Sequence, residues 1–201
     1  MTQPLFCKPL PGMREEELLF LFADSDLDGK IAFRSLQLTT DIETIHDWVN
    51  RFYTKRFWQL NGSKSLLINT YKNILNNQNA HSFIGLFNNQ PVCQIDIYAV
   101  SADELKEHIK YDTGDCGLHL LMCPPEQMIK GLSLAMLQHF IQFYFSFPAA
   151  QCLYAEPDKE NVFANRLAIK SGFHVLKTIE LAYKTANLYS ITKQQFQQHA
   201  Q

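Results

Sequence analysis

The chain has 201 residues, 46% hydrophobic and 19% charged, the composition of an ordinary globular domain with one substantial core. Its 18 basic and 20 acidic residues give a formal charge of -2 and form no Lys/Arg-rich run, so neither nucleic acid nor another phosphate backbone is an expected partner. No basic segment leads into an apolar one near the amino terminus, and the longest apolar tract, 140–147, carries Gln142 and stops at Pro148; no secretory leader or bilayer span is expected, and the expected compartment is the cytoplasm. Five cysteines, an odd number without a Cys-x-x-Cys pair, argue for reduced, buried thiols rather than a disulfide framework or a cysteine-built metal site.

In chain order, the apolar run 18–22 fits either a helix or a buried strand. Residues 24–31, DSDLDGKI, resemble the first half of a calcium loop, with acids at alternate positions followed by glycine. The twelfth position of such a loop, counted from Asp24, is Ser35 instead of a bidentate Glu. A calcium-binding module at 24–35 is therefore the weaker reading, and a hairpin turn at Asp28-Gly29 the stronger. A strand over 30–38 leads to Thr40-x-x-Glu43, the spacing of a capping box, from which a helix is expected to run to Phe52. A second helix is expected over 65–75, and strands over 81–87 and 92–100 joined by a tight turn at Asn88-Asn89. The strand 118–123 ends at Pro124-Pro125, and Leu134, Leu137, Ile141, Tyr144 and Phe145 then share one helical face. Strand, helix and strand follow at 151–157, 161–172 and 173–181, with a last strand over 185–192. The expected class is α/β, a mixed, mostly antiparallel sheet flanked by helices, in a single domain over 1–201 with residues 1–30 as an amino-terminal hairpin extension.

Several short motifs occur in order. Residues 155–173 contain Asn161, Ala164 and Lys170-x-Gly172-Phe173. Before them, 120–137 places Gln127, Lys130, Gly131 and Ser133 at the start of a helix, where free backbone amides and a positive dipole end favour an anion and glycine lets it approach. This pair of segments resembles the cofactor-binding half of the GCN5-related N-acetyltransferase (GNAT) superfamily. The resemblance covers about residues 33–196 and sharpens upstream. Ile45-His46-x-Trp48-x-Asn50, Phe57-Trp58, His81-x-x-x-Gly85, Asp115-x-Gly117-x-His119, Glu156-Pro157-Asp158-x-x-Asn161 and Lys184-Thr185-Ala186 resemble motifs of the siderophore-biosynthesis acyltransferases that acetylate N6-hydroxylysine.

The resemblance implies acetyl-CoA as acyl donor and a small-molecule amine or hydroxylamine as acceptor. It implies Met122, Cys123, Gln127, Lys130, Gly131, Leu132, Ser133 and Asn161 as cofactor-binding residues, and His81 and Asp115 as the catalytic pair facing the acceptor. Trp58, Asp96, Tyr98 and His119 are the implied acceptor-binding residues, with Asp96 and Tyr98 on one face of their strand. An aminoglycoside 6'-N-acetyltransferase is the alternative enzyme. Read without the resemblance, His81 is equally a strand-end residue, Asp115 a turn residue and His119 either buried or functional, while His46 and Trp48 are expected to pack the first helix. The resemblance also has departures. Ala168 stands where many members place a tyrosine that protonates the departing thiolate, Ala99 follows Tyr98 in place of an aromatic, and Ala182-Tyr183 precede the Lys-Thr-Ala.

Overall fold

The computed structural model describes residues 5–9, 17–127 and 129–199. One eight-stranded sheet has the order β1-β2-β3-β4-β5-β6-β8-β7. Its strands are β1 (Leu18–Asp24), β2 (Gly29–Ser35), β3 (Ala80–Phe87), β4 (Gln90–Ala99), β5 (Cys116–Met122), β6 (Cys152–Ala155), β7 (His174–Leu181) and β8 (Lys184–Thr192). Every neighbouring pair is antiparallel except β5 and β6. The helices are α1 (Ile42–Val49), α2 (Phe52–Lys55), α3 (Lys64–Asn76), α4 (Leu132–Ser146), α5 (Val162–Lys170) and α6 (Lys193–His199).

Alternation along the strands sorts side chains between two layers. Phe33, Phe83 and Gly85 face α4, where the Phe33 and Phe83 rings meet Phe140 and a Cβ on Gly85 would run into the Met136 side chain. The cross-strand neighbours Ser82, Asp96 and His119 lie on the opposite face, beside α1 and α3. On α4, Leu137, Ile141, Tyr144 and Phe145 are buried as expected, while Leu134, expected on the same face, is only partly buried. Met136, Phe140 and Phe143 are buried too, because the helix packs on more than one side. All five cysteines are buried. No helix among the described residues is long and apolar enough to cross a membrane.

The segment left open between helix and strand is strand β1, paired with β2 through the turn at residues 25–28. Asp28 takes φ 48°, as a tight hairpin turn demands. The calcium reading is thereby corrected. Residues 24–35 are turn and strand rather than a loop between helices, and the Asp24 carboxylate is held by the Leu27 N–H at 2.8 Å and His139 Nε2 at 2.9 Å. Among the described residues no three His, Cys, Asp or Glu side chains are placed to hold a metal ion. The Asn88-Asn89 turn is tight as expected, with φ 48° and 65°.

The expected capping box does not form. The helix starts after Asp41, whose carboxylate is instead gripped by both Arg34 nitrogens at 2.7 Å and by the Gln37 N–H at 2.8 Å, while Glu43 turns to Lys64. Nor does the helix reach Phe52 unbroken. Asn50 folds its side-chain amide back to the His46 carbonyl at 2.9 Å and accepts the Gly62 N–H at 3.1 Å, and Arg51 is extended, so a second short helix begins. His46 Nε2 bonds the Gly62 carbonyl at 2.8 Å and Trp48 is buried, the packing role expected of both.

The Arg34–Asp41 pair is the main charged contact between sheet and first helix, with side chains only 13% and 5% exposed. Removing one partner strands the other's buried charge, which costs about 3 kcal/mol or more. Asp41→Ala is therefore expected to lower the unfolding free energy in urea by about 3 kcal/mol. A loss near that of an exposed pair, below about 1 kcal/mol, would contradict this placement.

Candidate active site

The strands β5 and β6 run parallel and pair only at Cys116 with Leu153 and Gly117 with Tyr154. Beyond that point they part, while β5 stays paired with β4 through Met122. The Cys123 N–H bonds the Val92 carbonyl at 2.8 Å, so by antiparallel alternation residues 119, 121 and 123 direct their backbone groups toward β4. The backbone groups of Leu120 and Met122 therefore face the gap, and the Tyr53 hydroxyl reaches across from α2 to the Met122 carbonyl at 3.2 Å. Burial raises the Tyr53 pKa to about 12.

At the mouth of the gap stands the amino terminus of α4. Gly131 caps it with φ 89°, a conformation that other residues rarely adopt. Gln127 ends the 3-10 turn Pro125–Gln127 and, with Lys130, is exposed. Leu132 is buried and anchors the helix, and Ser133 opens its first turn, where amides lack intrahelical partners. Across the gap, Asn161 caps α5 by accepting the Ala164 N–H at 3.1 Å. Its side-chain oxygen is thereby committed to the cap.

A buried ionic cluster lies where β5 and β6 part. His119 Nε2 meets Glu156 Oε1 at 2.6 Å. Glu156 also accepts the Tyr98 hydroxyl at 2.9 Å through its other oxygen, and Lys184 Nζ lies 3.6 Å from Oε1. Burial alone would raise the Glu156 pKa, but the His119 charge and hydrogen bond, Lys184 and Tyr98 bring it down to about 2. Burial acts to lower the His119 pKa, and the Glu156 charge and hydrogen bond outweigh it, raising it above the ordinary 6.5. Because a carboxylate only accepts, Nε2 carries the proton and Nδ1 the lone pair. The two side chains differ in access: Glu156 is 3% exposed and His119 36%. A solvent-accessible imidazole backed by a buried carboxylate is a general-base arrangement.

Two glycine and aspartate positions of the Asp-x-Gly-x-His motif build this pair. A Cβ on Gly117 would fall 2.2 Å from the Tyr98 ring, so glycine lets Tyr98 lie flat over β5 and reach Glu156. Asp115 accepts the Cys152 N–H at 3.1 Å and the Asp112 N–H at 2.9 Å, tying the start of β6 beside β5. Trp58 stands edge-on to His119 with ring centroids 6.3 Å apart. Asp96, the cross-strand neighbour of His119, is held by Ser82 and by Gln94 Nε2 at 2.6 Å; burial raises its pKa against those hydrogen bonds.

His81 and Asp115, expected as a pair facing the acceptor, bond separate groups. His81 lies on the α4 face, its Nε2 bonded to Ser35 Oγ at 2.9 Å and its ring against Phe83. Burial and the Lys8 charge lower its pKa to about 3. Asp115 is occupied by backbone amides. Tyr98, expected on the acceptor, spends its hydroxyl on Glu156 instead. Glu156 itself was missed as a site residue although it stands in the Glu-Pro-Asp motif, and Lys184 likewise in the Lys-Thr-Ala motif. A buried Glu directly after an apolar strand was the available signal.

Comparison with known proteins places this geometry. The E. coli N(6)-hydroxylysine O-acetyltransferase is 25% identical over 182 residues, covering 86% of this chain and 55% of that protein. The chain thus spans about half the length of that relative. The Acinetobacter baumannii N-hydroxyputrescine acetyltransferase is 23% identical, covering 83% of this chain and 80% of that protein. Among solved structures, an uncharacterized Bacillus halodurans protein superposes with a TM-score of 0.84 at 26% identity, covering 89% of this chain and 92% of that one. Aminoglycoside acetyltransferase AAC(6')-Ib, solved with coenzyme A, superposes with a TM-score of 0.77 at 20% identity, over 85% and 99% of the two chains, a likeness of fold. The "Acetyltransferase (GNAT) domain" family matches residues 37–181, well over half the sequence, and the chain belongs to that family.

Proposed function

We propose that the chain is an acyl-CoA-dependent N-acyltransferase acting on an N-hydroxylated amine, of the hydroxylysine, hydroxyornithine or hydroxydiamine type, as in hydroxamate siderophore assembly. The observation that carries this reading is the His119–Glu156 pair beside the parting of β5 and β6. Family membership and the two hydroxylamine-acetylating relatives support the acceptor class.

The residues present fit acetyl-CoA. The gap-facing backbone groups of Leu120 and Met122 suit a pantetheine arm, and the α4 amino terminus with Gln127, Lys130, Gly131 and Ser133 suits a pyrophosphate. Bound there, acetyl-CoA supplies an activated thioester. The gap-facing Met122 N–H would donate to its carbonyl oxygen and polarise it. His119 Nδ1 would take the proton from the acceptor nitrogen as the new N–C bond forms, Glu156 would stabilise the resulting imidazolium, and breaking of the thioester C–S bond would release the coenzyme A thiolate to take up that proton. An N-hydroxyamine is less basic than an alkylamine and largely neutral near pH 7, so the task of the base is modest.

His119→Ala is expected to lower kcat at least about 100-fold without weakening coenzyme A binding by calorimetry. His81→Asn, which touches only the opposite face, changes kcat little. The reverse pattern would transfer the base to His81. The pH profile gives a second test. The neutral form of His119 is the active one and its pKa is raised, so kcat/KM falls as pH drops through a value above 6.5. Glu156→Gln removes the charge that raises it, and the acid limb shifts to lower pH. The acceptor's own ionisation is the same for both enzymes, so an unshifted limb would remove the Glu156–His119 coupling from the mechanism. Thiol release from acetyl-CoA with N-hydroxylysine, N-hydroxyornithine, N-hydroxycadaverine and kanamycin fixes the acceptor class. Turnover of the hydroxylamines is expected, and turnover of kanamycin alone would replace the proposed acceptor with an aminoglycoside.

A further inference from the structure

The hairpin of β1 and β2 precedes the matched family, which begins at residue 37, and the acyl transfer proposed above gives it no part. Its acidic turn reaches α4 at two points. One Asp24 carboxylate oxygen accepts the Leu27 N–H at 2.8 Å and so sets the turn, and the other meets His139 Nε2 at 2.9 Å. Phe22 packs on the same imidazole with ring centroids 4.2 Å apart. The Asp24 and His139 side chains are largely out of water, at 11% and 13% exposure. The second point is the helix cap. A Cβ on Gly131 would stand 3.5 Å from Leu27 Cδ2, so Leu27 is seated against the residue that caps α4. At 1.5 Å per residue, Gly131 and His139 lie roughly 12 Å apart along the helix, two separate anchors on one element.

The distribution of burial along α4 gives these contacts their consequence. Apart from Leu132, every buried residue of the helix lies at Met136 or beyond, and residues 125–127 and 129–131 of the preceding loop are exposed. The free amides are thus carried by the least packed end of the helix. An anion gains from them only over that first turn, and only when they are aimed at it. Leu27 sits beside the cap, and Asp24 holds Leu27 with one oxygen and the packed part of the same helix with the other. Resting on the acyl-CoA reading above, we propose that Leu27 and Asp24 are positioning residues for the coenzyme, fixing the Gly131 end of α4 so that its amides meet the pyrophosphate. They act through the cap and not on the thioester, so their effect is confined to the phosphate end of the donor. The hairpin then belongs to the coenzyme site although it lies outside the matched family. Because coupling is reciprocal, the bound coenzyme in turn steadies the hairpin.

The test measures coenzyme A binding by calorimetry, and donor KM and kcat with acetyl-CoA and with S-acetylpantetheine, which lacks the pyrophosphate. Leu27→Ala and Asp24→Ala are each expected to weaken coenzyme A about fivefold and to raise the acetyl-CoA KM in step, while kcat and the S-acetylpantetheine KM stay within about twofold of wild type. Leu27→Met, which conserves volume, is expected to restore the affinity. Leu21 is 59% exposed and alternates with Phe20 and Phe22, which face α4, so Leu21→Ala is expected to bind coenzyme A as wild type does. Unchanged affinity in both alanine variants, or an equal loss with S-acetylpantetheine, overturns the proposal while leaving acyl transfer standing. Hydrogen exchange on the wild-type chain needs no variant. Coenzyme A is expected to slow exchange of the Leu27 amide, and an amide indifferent to coenzyme A overturns the proposal even where the variants fail to fold. Absence of coenzyme A binding by wild type overturns the acyl-CoA reading and this inference with it.

Discussion

The buried carboxylate of Glu156 is the constraint around which the site is arranged. A charge that is 3% exposed has to be matched on every side, and here β5 supplies His119, β4 supplies Tyr98 and β8 supplies its first residue, Lys184. That requirement reaches back into the backbone. Tyr98 can arrive only because residue 117 has no Cβ, and β6 keeps its place beside β5 because Asp115 holds the Cys152 amide. The one parallel pair in the sheet is thus fastened at its base by Asp115 and linked higher up by the His119–Glu156 ion pair, with the gap opening beyond.

The same region explains why the first helix is broken. A continuous helix from Ile42 would carry residue 53 along the axis of α1. The stop at Asn50, clasped to Gly62, redirects α2 so that Tyr53 leans over β5 and its hydroxyl meets the Met122 carbonyl. The amino-terminal hairpin acts on the other end of the gap. Asp24 is joined to His139 of α4, Phe22 packs on the same imidazole with centroids 4.2 Å apart, and Leu27 lies in contact range of Gly131. The acidic turn that resembles a metal loop is therefore a brace for the helix whose amino terminus borders the gap.

The order of strands and helices was legible because strand alternation, glycine stops and paired asparagines are local signals, as at Asn88-Asn89 and Gly172. Tertiary competition was not. The Thr40–Glu43 box gives way because Thr40 bonds Gln37, Glu43 turns to Lys64, 21 residues on, and Arg34 grips Asp41 at the helix start, and no spacing rule sees those partners. For the site, the motifs around His119 and Glu156 were visible but their division of labour was not. Which face of the sheet each histidine occupies depends on register, so His81, implied as catalytic, and His119, implied as acceptor-binding, end on opposite sides. Glu156 gains its meaning only when Tyr98, 58 residues away in sequence, lands on it.

The proposed chemistry stands on the electrostatic coupling between His119 and Glu156. An NMR pH titration of the His119 ring, in wild type and in Glu156→Gln, measures that coupling without substrate or turnover. A wild-type pKa above 6.5 that falls when residue 156 loses its charge is the predicted result. A wild-type value at or below 6.5, or one indifferent to Glu156→Gln, would contradict it.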